Sequence, residues 1–280
     1  MTEKQQAGLA RFLDTAYGFL KAGYFEEPTE YDFSGADSNG AGPCTDLGGS
    51  PQPCAGVGGR VGGAAVSRRQ SGNSAPLMEP ESLDTVADSV RGCTLCGLHA
   101  TRIKAVPGEG ARRPLALVVG EGPGADEDSS GRPFVGAAGR LLDQMLASIG
   151  LDRNRNCFIA NVVKCRPPGN RDPLPAETAA CLPFFERQLA LLRPLVILTV
   201  GKVPVKTLLG TDEGITRLRG NWKSYRGIPL LPSFHPSYLL RDASQKKFAW
   251  EDLKALCRRL AELDAGYAAE TAELRRARGI

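Results

Sequence analysis

The chain has 280 residues, 42% hydrophobic and 24% charged, which is enough for one large domain with its own core and no need of disulfides. No apolar run approaches the ~20 residues of a membrane span, and the start MTEKQQAGLARF lacks the parts of a secretory signal, so a cytoplasmic location without a membrane partner is expected. Residues 1–90 carry 6 Lys and Arg against 12 Asp and Glu, net −6, whereas residues 91–280 carry 29 against 19, net +10; that surplus suits a polyanion such as nucleic acid and equally a well-solvated surface.

In residues 4–23, Leu9, Phe12, Leu13, Ala16, Phe19 and Leu20 fall near helical spacing, so an amphipathic helix is predicted within residues 1–30. It either docks on its own domain or serves a protein partner. Residues 35–76 hold 11 of the 33 glycines and almost no large apolar side chain, too little to offset their ordering entropy. Residues 31–82 are therefore read as a Gly-rich linker. Beyond it, LALVVG (115–120), CFIANVV (157–163), LVILTVG (195–201) and IPLLPSF (228–234) read as buried parallel strands. Residues 137–149, 177–193, 203–209 and 245–263 read as helices. This alternation predicts an α/β fold, a three-layer α/β/α sandwich around a central four-stranded parallel sheet, spanning residues 83–263. The charged tail 264–280 either extends the last helix or frays. Nothing in the sequence argues against a monomer.

In such a sheet, ligands lie beyond the C-terminal ends of the strands. There the sequence places GEGPGADED (120–128), Asn161, Gly201-Lys202 and His235-Pro236-Ser237. GEGPG is neither GxGxxG nor GxxxxGK[ST], and Pro123 removes an N–H that a phosphate cradle would use. Its glycines Gly122 and Gly124 instead let a flat ligand approach bare backbone. The carboxylates Asp126, Glu127 and Asp128 suit a solvated loop, N-caps or catalysis. Cys93 and Cys96 form CxxC, and Cys165 with Cys181 can close a four-thiolate shell around zinc or an iron–sulfur cluster; spacing alone does not separate the two. Cys157 and Cys257 read as small core residues, and Cys44 and Cys54 fall in the linker. His235 is either a structural donor or a catalyst. Tyr238, Leu239 and Leu240 are read as an exposed loop, either a wedge entering a base stack or packing under the next helix.

GEGPGADED, GRPFVGAAGRLL, IANVVKCRPPGNRDP, HPSYLLR and the four cysteines together resemble the family 4 uracil-DNA glycosylases, the iron–sulfur branch of that superfamily, over roughly residues 84–262. The resemblance implies excision of uracil from DNA by hydrolysis of the N-glycosidic bond, leaving an abasic site for base excision repair. It implies a 4Fe-4S cluster held by Cys93, Cys96, Cys165 and Cys181, structural in role. It carries a base pocket onto Glu121, Gly122, Pro123, Phe134, Asn161 and His235, with Phe134 stacking on the ring, Asn161 reading the base edge, and Glu121, Asn161 and His235 in the catalytic set. Glu127 takes the role of crowding the C5 position against thymine. The best-known branch has Asp and Tyr where this chain has Gly122 and Gly124, which leaves the residue that activates water open. No basic insertion or His precedes the fourth cysteine, so turnover is expected over covalent capture. Two rivals remain at this level: a non-catalytic module that binds uracil or damaged DNA, and a zinc-stabilised nucleotide-processing enzyme.

Overall fold

The computed structural model describes residues 81–278; the expected N-terminal helix, with the protein partner it would serve, and the linker up to residue 80, with Cys44 and Cys54, lie outside the described residues. The described part begins with helix α1 (Leu83–Arg91), started by Ser82, whose hydroxyl accepts the Thr85 N–H. Edge strand β1 (Glu109–Gly110) leads into β2 (Ala116–Gly120), the short helix α2 (Ala125–Ser130), α3 (Ala137–Ser148) and β3 (Cys157–Asn161). Then come α4 (Pro175–Leu192), β4 (Val196–Val200), α5 (Lys202–Leu209), the one-turn α6 (Ile215–Leu218) and the hairpin β5 (Lys223–Tyr225) and β6 (Ile228–Ser233). Helices α7 (Pro236–Arg241), α8 (Lys246–Leu263) and α9 (Ala265–Arg278) complete it.

The sheet order is β1-β3-β2-β4-β6-β5. Its four central strands are parallel, in register Ala116 to Cys157, Ala116 to Val196 and Ile197 to Leu230. Each of β2, β3 and β4 is buried along its whole length, which is why an uninterrupted apolar run marks it. Alternate side chains serve opposite layers. Ala116, Val118, Ile159 and Leu198 meet Leu142 and Leu146 of α3 and Leu253, Leu256 and Leu260 of α8. On the other face, Leu117, Val119 and Ile197 meet Phe185, Leu189 and Leu192 of α4. These layers are the expected three. No helix among the described residues is long and apolar enough to cross a membrane.

Three elements differ from the sequence expectation. Two antiparallel edge strands extend the four-stranded sheet; β1 has only two residues and β5 is polar, so neither shows an apolar pattern. The β5–β6 turn places Arg226 and Gly227 at φ 53° and 81°, the positive values a two-residue hairpin favours. Residues 238–240 belong to helix α7 rather than a loop, with Leu239 only 1% exposed and packed in the core. Leu239 is therefore no wedge: Pro236 at its first turn starts a helix whose buried side carries it inward. Finally, Asp264 interrupts α8, so the tail is a separate helix, anchored by the buried Tyr267 whose hydroxyl donates to the Ile149 carbonyl.

Candidate active site

A cleft of about 650 Å³ opens at the C-terminal ends of the parallel strands. Glu121 to Gly124 and Glu127 line it after β2, Asn161 at the end of β3, Gly201 and Lys202 after β4, and His235 after β6, with Phe134 reaching in from the loop before α3. All seven residues expected in the base pocket thus line one cavity. Asn170, Arg171 and Arg241 line it too. None of the three was expected as a site residue from the sequence, although Asn170 and Arg171 stand in the quoted CRPPGNRDP run and Arg241 in HPSYLLR.

Asn161 is only 1% exposed, and its Oδ1 has no hydrogen-bond partner among the described residues. A buried carbonyl oxygen left without a donor costs about 1–3 kcal/mol, so its place in a cleft marks a ligand contact. Gly120 makes the arrangement possible. A Cβ there would lie 2.4 Å from Asn161 Oδ1 and 2.6 Å from Phe134 Cζ, so the bare backbone is what lets amide and ring meet over the end of β2. Phe134 has φ 52°, a left-handed conformation that costs a non-glycine residue about 1–2 kcal/mol. Such strain collects at binding sites held by their surroundings. Its ring lies 5.7 Å from that of His235, tilted by 34°.

His235 caps α7. Its Nδ1 accepts the backbone N–H of Ser237 at 3.1 Å, which keeps a lone pair on Nδ1 and the proton of the neutral ring on Nε2. Burial, aided by the positive charge of Arg241, pushes its pKa down to about 4. The ring is consequently a neutral hydrogen-bond donor at physiological pH.

The cleft carboxylates differ sharply in commitment. Glu127 accepts Gly124 N–H at 3.0 Å, Val135 N–H at 2.9 Å and Gly136 N–H at 3.1 Å, which ties the GEGPG turn to the GRPFVG loop. A Cβ on Gly124 would lie 2.7 Å from its Oε2, so Glu127 holds the space a side chain at 124 would need. Likewise a Cβ on Gly122 would meet Val163 at 2.7 Å. Asp172 pairs with Lys202 at 2.9 Å. The carboxyl of Glu121, by contrast, makes no hydrogen bond to another described residue, and burial, reinforced by the charge of Asp172, pushes its pKa up to about 7.

Tyr238 lines the cleft and meets Phe234 edge-on at 5.2 Å, whereas Leu240 stands 49% exposed on α7.

Cys93, Cys96, Cys165 and Cys181 line one small, mainly apolar cavity with Leu98 and Phe184. Three donors address its sulfurs: Leu95 N–H to Cys93 at 3.5 Å, Lys164 N–H to Cys181 at 3.2 Å and Arg102 Nη1 to Cys165 at 3.1 Å. Burial pushes the Cys181 thiol up to about 11 and raises that of Cys165, so these two thiols are held protonated and ligation would release their protons. Among the described residues, no three His, Cys, Asp or Glu groups converge tightly enough for a single metal ion. Four thiols around a cavity, with N–H donors on sulfur, fit a larger polynuclear group. Cys157 and Cys257 are buried in the main core.

Residues 107–254 of the chain match the model of the uracil DNA glycosylase superfamily, and the chain belongs to that family. The chain is 43% identical over 180 residues to the type-4 uracil-DNA glycosylase of Thermotoga maritima, covering 62% of this chain and 92% of that protein. It is 43% identical over 185 residues to the type-4 enzyme of Sulfurisphaera tokodaii, covering 63% and 84%. A type-5 uracil-DNA glycosylase of Mycobacterium bovis is 31% identical over 157 residues, covering 47% and 57%. Within the superfamily, the chain is of type 4.

Proposed function

We propose that this chain excises uracil from DNA by hydrolysing its N-glycosidic bond, leaving an abasic site for base excision repair. The observation that carries the reading is the unpartnered Oδ1 of Asn161 in a cleft beside Phe134 and His235. Uracil N3–H is a donor and its O4 an acceptor, and one amide answers both. Cytosine presents the reverse pattern and would leave the buried amide unpaired, a mismatch that polar sites reject strongly.

The nucleotide must leave the helix, at a cost of a few kcal/mol. Phe134 stacks on the extruded base, while Arg171, Lys202 and Arg241 at the cleft supply positive charge for phosphates. As the bond to N1 breaks, negative charge gathers on the base and positive charge on the sugar. The Nε2–H of His235 donates to uracil O2, an effect worth roughly 3 kcal/mol for one well-placed donor. Glu121 is the cleft carboxyl left free to act: ionised, it orients the attacking water and faces the developing cation, and a pKa near 7 suits a general base. Glu127, with its oxygens engaged by backbone, is a fixed wall against the thymine methyl. Leu240, exposed on α7, fills the vacated stack, with Tyr238 beside it.

Cys93, Cys96, Cys165 and Cys181 would hold a 4Fe-4S cluster. When bound it supplies a structural cross-link rather than chemistry. Cys165 lies four residues after Asn161 and five before Asn170, so a fixed Cys165 fixes both the base-reading amide and the cleft's rim.

The test is release of uracil from a uracil-containing oligonucleotide followed by alkaline strand scission. Cleaved product from single-stranded or duplex substrate is expected. Intact DNA from folded, cluster-loaded protein that still binds the oligonucleotide would replace this reading with that of a binding module.

A further inference from the structure

Phe134 lines both the candidate base pocket and a second cavity behind it, and Arg153 lines only the second. Arg153 is 8% exposed and all five N–H donors of its guanidinium are engaged. Nη1 donates to the Pro133 carbonyl at 2.9 Å and to Glu109 at 3.0 Å. Nη2 donates to the Phe134 carbonyl at 2.9 Å and to Asp143 at 2.7 Å, and Nε donates to Asp143 at 3.0 Å. Glu109 is in turn gripped by both Nε and Nη2 of Arg132, at 2.8 and 2.9 Å. The fork is thus locked by two carboxylates while it holds two consecutive carbonyls.

Those carbonyls belong to the turn that carries Phe134 at φ 52°. Its next two amides, of Val135 and Gly136, are fixed from the other side by Glu127. The turn also presses on α3, where a Cβ on Gly139 would lie 1.9 Å from the Phe134 carbonyl oxygen. A left-handed phenylalanine relaxes unless its flanking peptide groups are pinned, and relaxation would swing the ring away from Gly120 and Asn161. Lysine cannot substitute, because an ammonium is a point donor and does not span two carbonyls in a plane.

We propose that Arg153 is a positioning residue for uracil excision: by holding the Pro133 and Phe134 carbonyls it keeps the Phe134 ring in place to stack on the extruded base. This rests on the stacking role proposed above for Phe134.

The test compares full-length wild type, Arg153→Lys, Arg153→Met, Phe134→Ala and the double variant Arg153→Met with Phe134→Ala. It reads kcat, KM for uracil-containing DNA, inhibition by free uracil, and thermal melting. Both Arg153 variants are expected to lower kcat by about 10- to 100-fold, lysine less than methionine, as for a misplaced reacting group. Inhibition by uracil weakens in parallel and KM stays within about twofold, since phosphate contacts are untouched. With Phe134 already alanine, Arg153→Met should cost less than about a further twofold, because the two act as one unit. Losses that multiply in the double variant, or wild-type kcat and uracil inhibition in Arg153→Met, overturn the proposal. Wild-type kcat in Phe134→Ala instead rejects the stacking role itself. Should the Arg153 variants fail to fold, Asp143→Asn loosens the same fork from a half-exposed partner; a kcat loss abolished in the Phe134→Ala background supports the proposal, and one that persists there, or no loss at all, overturns it.

Discussion

The backbone N–H of Ser237 points at Nδ1 of His235 from 3.1 Å, so the first turn of α7 decides which nitrogen of the ring carries the proton. With the pKa pushed down to about 4, the ring stays neutral, and the donor needed at uracil O2 is present without titration. Replacing His235 with alanine should lower kcat by about 10²–10³-fold with a smaller change in KM, the cost of one donor in a site for developing negative charge. Steady-state kinetics on an oligonucleotide checks this; an undiminished kcat would remove His235 from the mechanism.

Glu121 gives the pH profile its main limb. Because its pKa lies near 7, kcat/KM should rise as pH increases through 7, and the Glu121→Gln enzyme should be slower and flat there. Stability runs the other way. The folded pKa is raised from 4.5, so the group's contribution is full below 4.5 and is lost as pH rises through 7. Glu121→Gln should therefore raise Tm at pH 8 relative to wild type and not at pH 4. His235, depressed from 6.5, opposes this by favouring the folded state less as pH falls from 6.5 to 4. Melting curves across pH 4–8 for both variants separate the two.

Asn161→Asp exchanges the amide donor for an oxygen while leaving the shape. Uracil excision should fall by about 10²-fold or more and the preference for uracil over cytosine should shrink, since a buried acid can present a donor where cytosine needs one. Rates on matched uracil and cytosine substrates read this directly; an unchanged ratio would exclude edge reading by Asn161.

At Gly120 the expectation is steric. Alanine would bring a methyl to 2.4 Å from Asn161 Oδ1, so the amide or the Phe134 ring must move. A loss of about 1–3 kcal/mol in stability is expected for such overpacking, alongside excision reduced far beyond that of an equally destabilised core variant. Retained activity at ordinary melting temperature would show that the crowded contact is dispensable.

For the cysteine cavity, purified protein should be brown and carry about four irons per chain. Cys165→Ser should lose iron and lower Tm, because ligand loss removes a link between the segment after α1, helix α4 and the segment after β3. A colourless, zinc-containing protein of full activity would reject the cluster.

The parallel strands, the helices between them and the crevice at the strand ends were legible in the linear chain, because strands buried on both faces must be apolar throughout and polar residues then gather where they stop. Cys93-Thr94-Leu95-Cys96 advertised itself for the same local reason. Leu239 was misread because a three-residue apolar stretch does not reveal whether it starts a helix, and that depended on Pro236 and on the core beneath it. Nor does anything around Phe134 or Arg153 announce that a guanidinium nineteen positions downstream holds that ring in a left-handed turn. Local pattern decides which segments are buried and how they repeat; the packing of distant segments alone decides which amide is left without a partner, which carboxylate stays free, and which ring faces it.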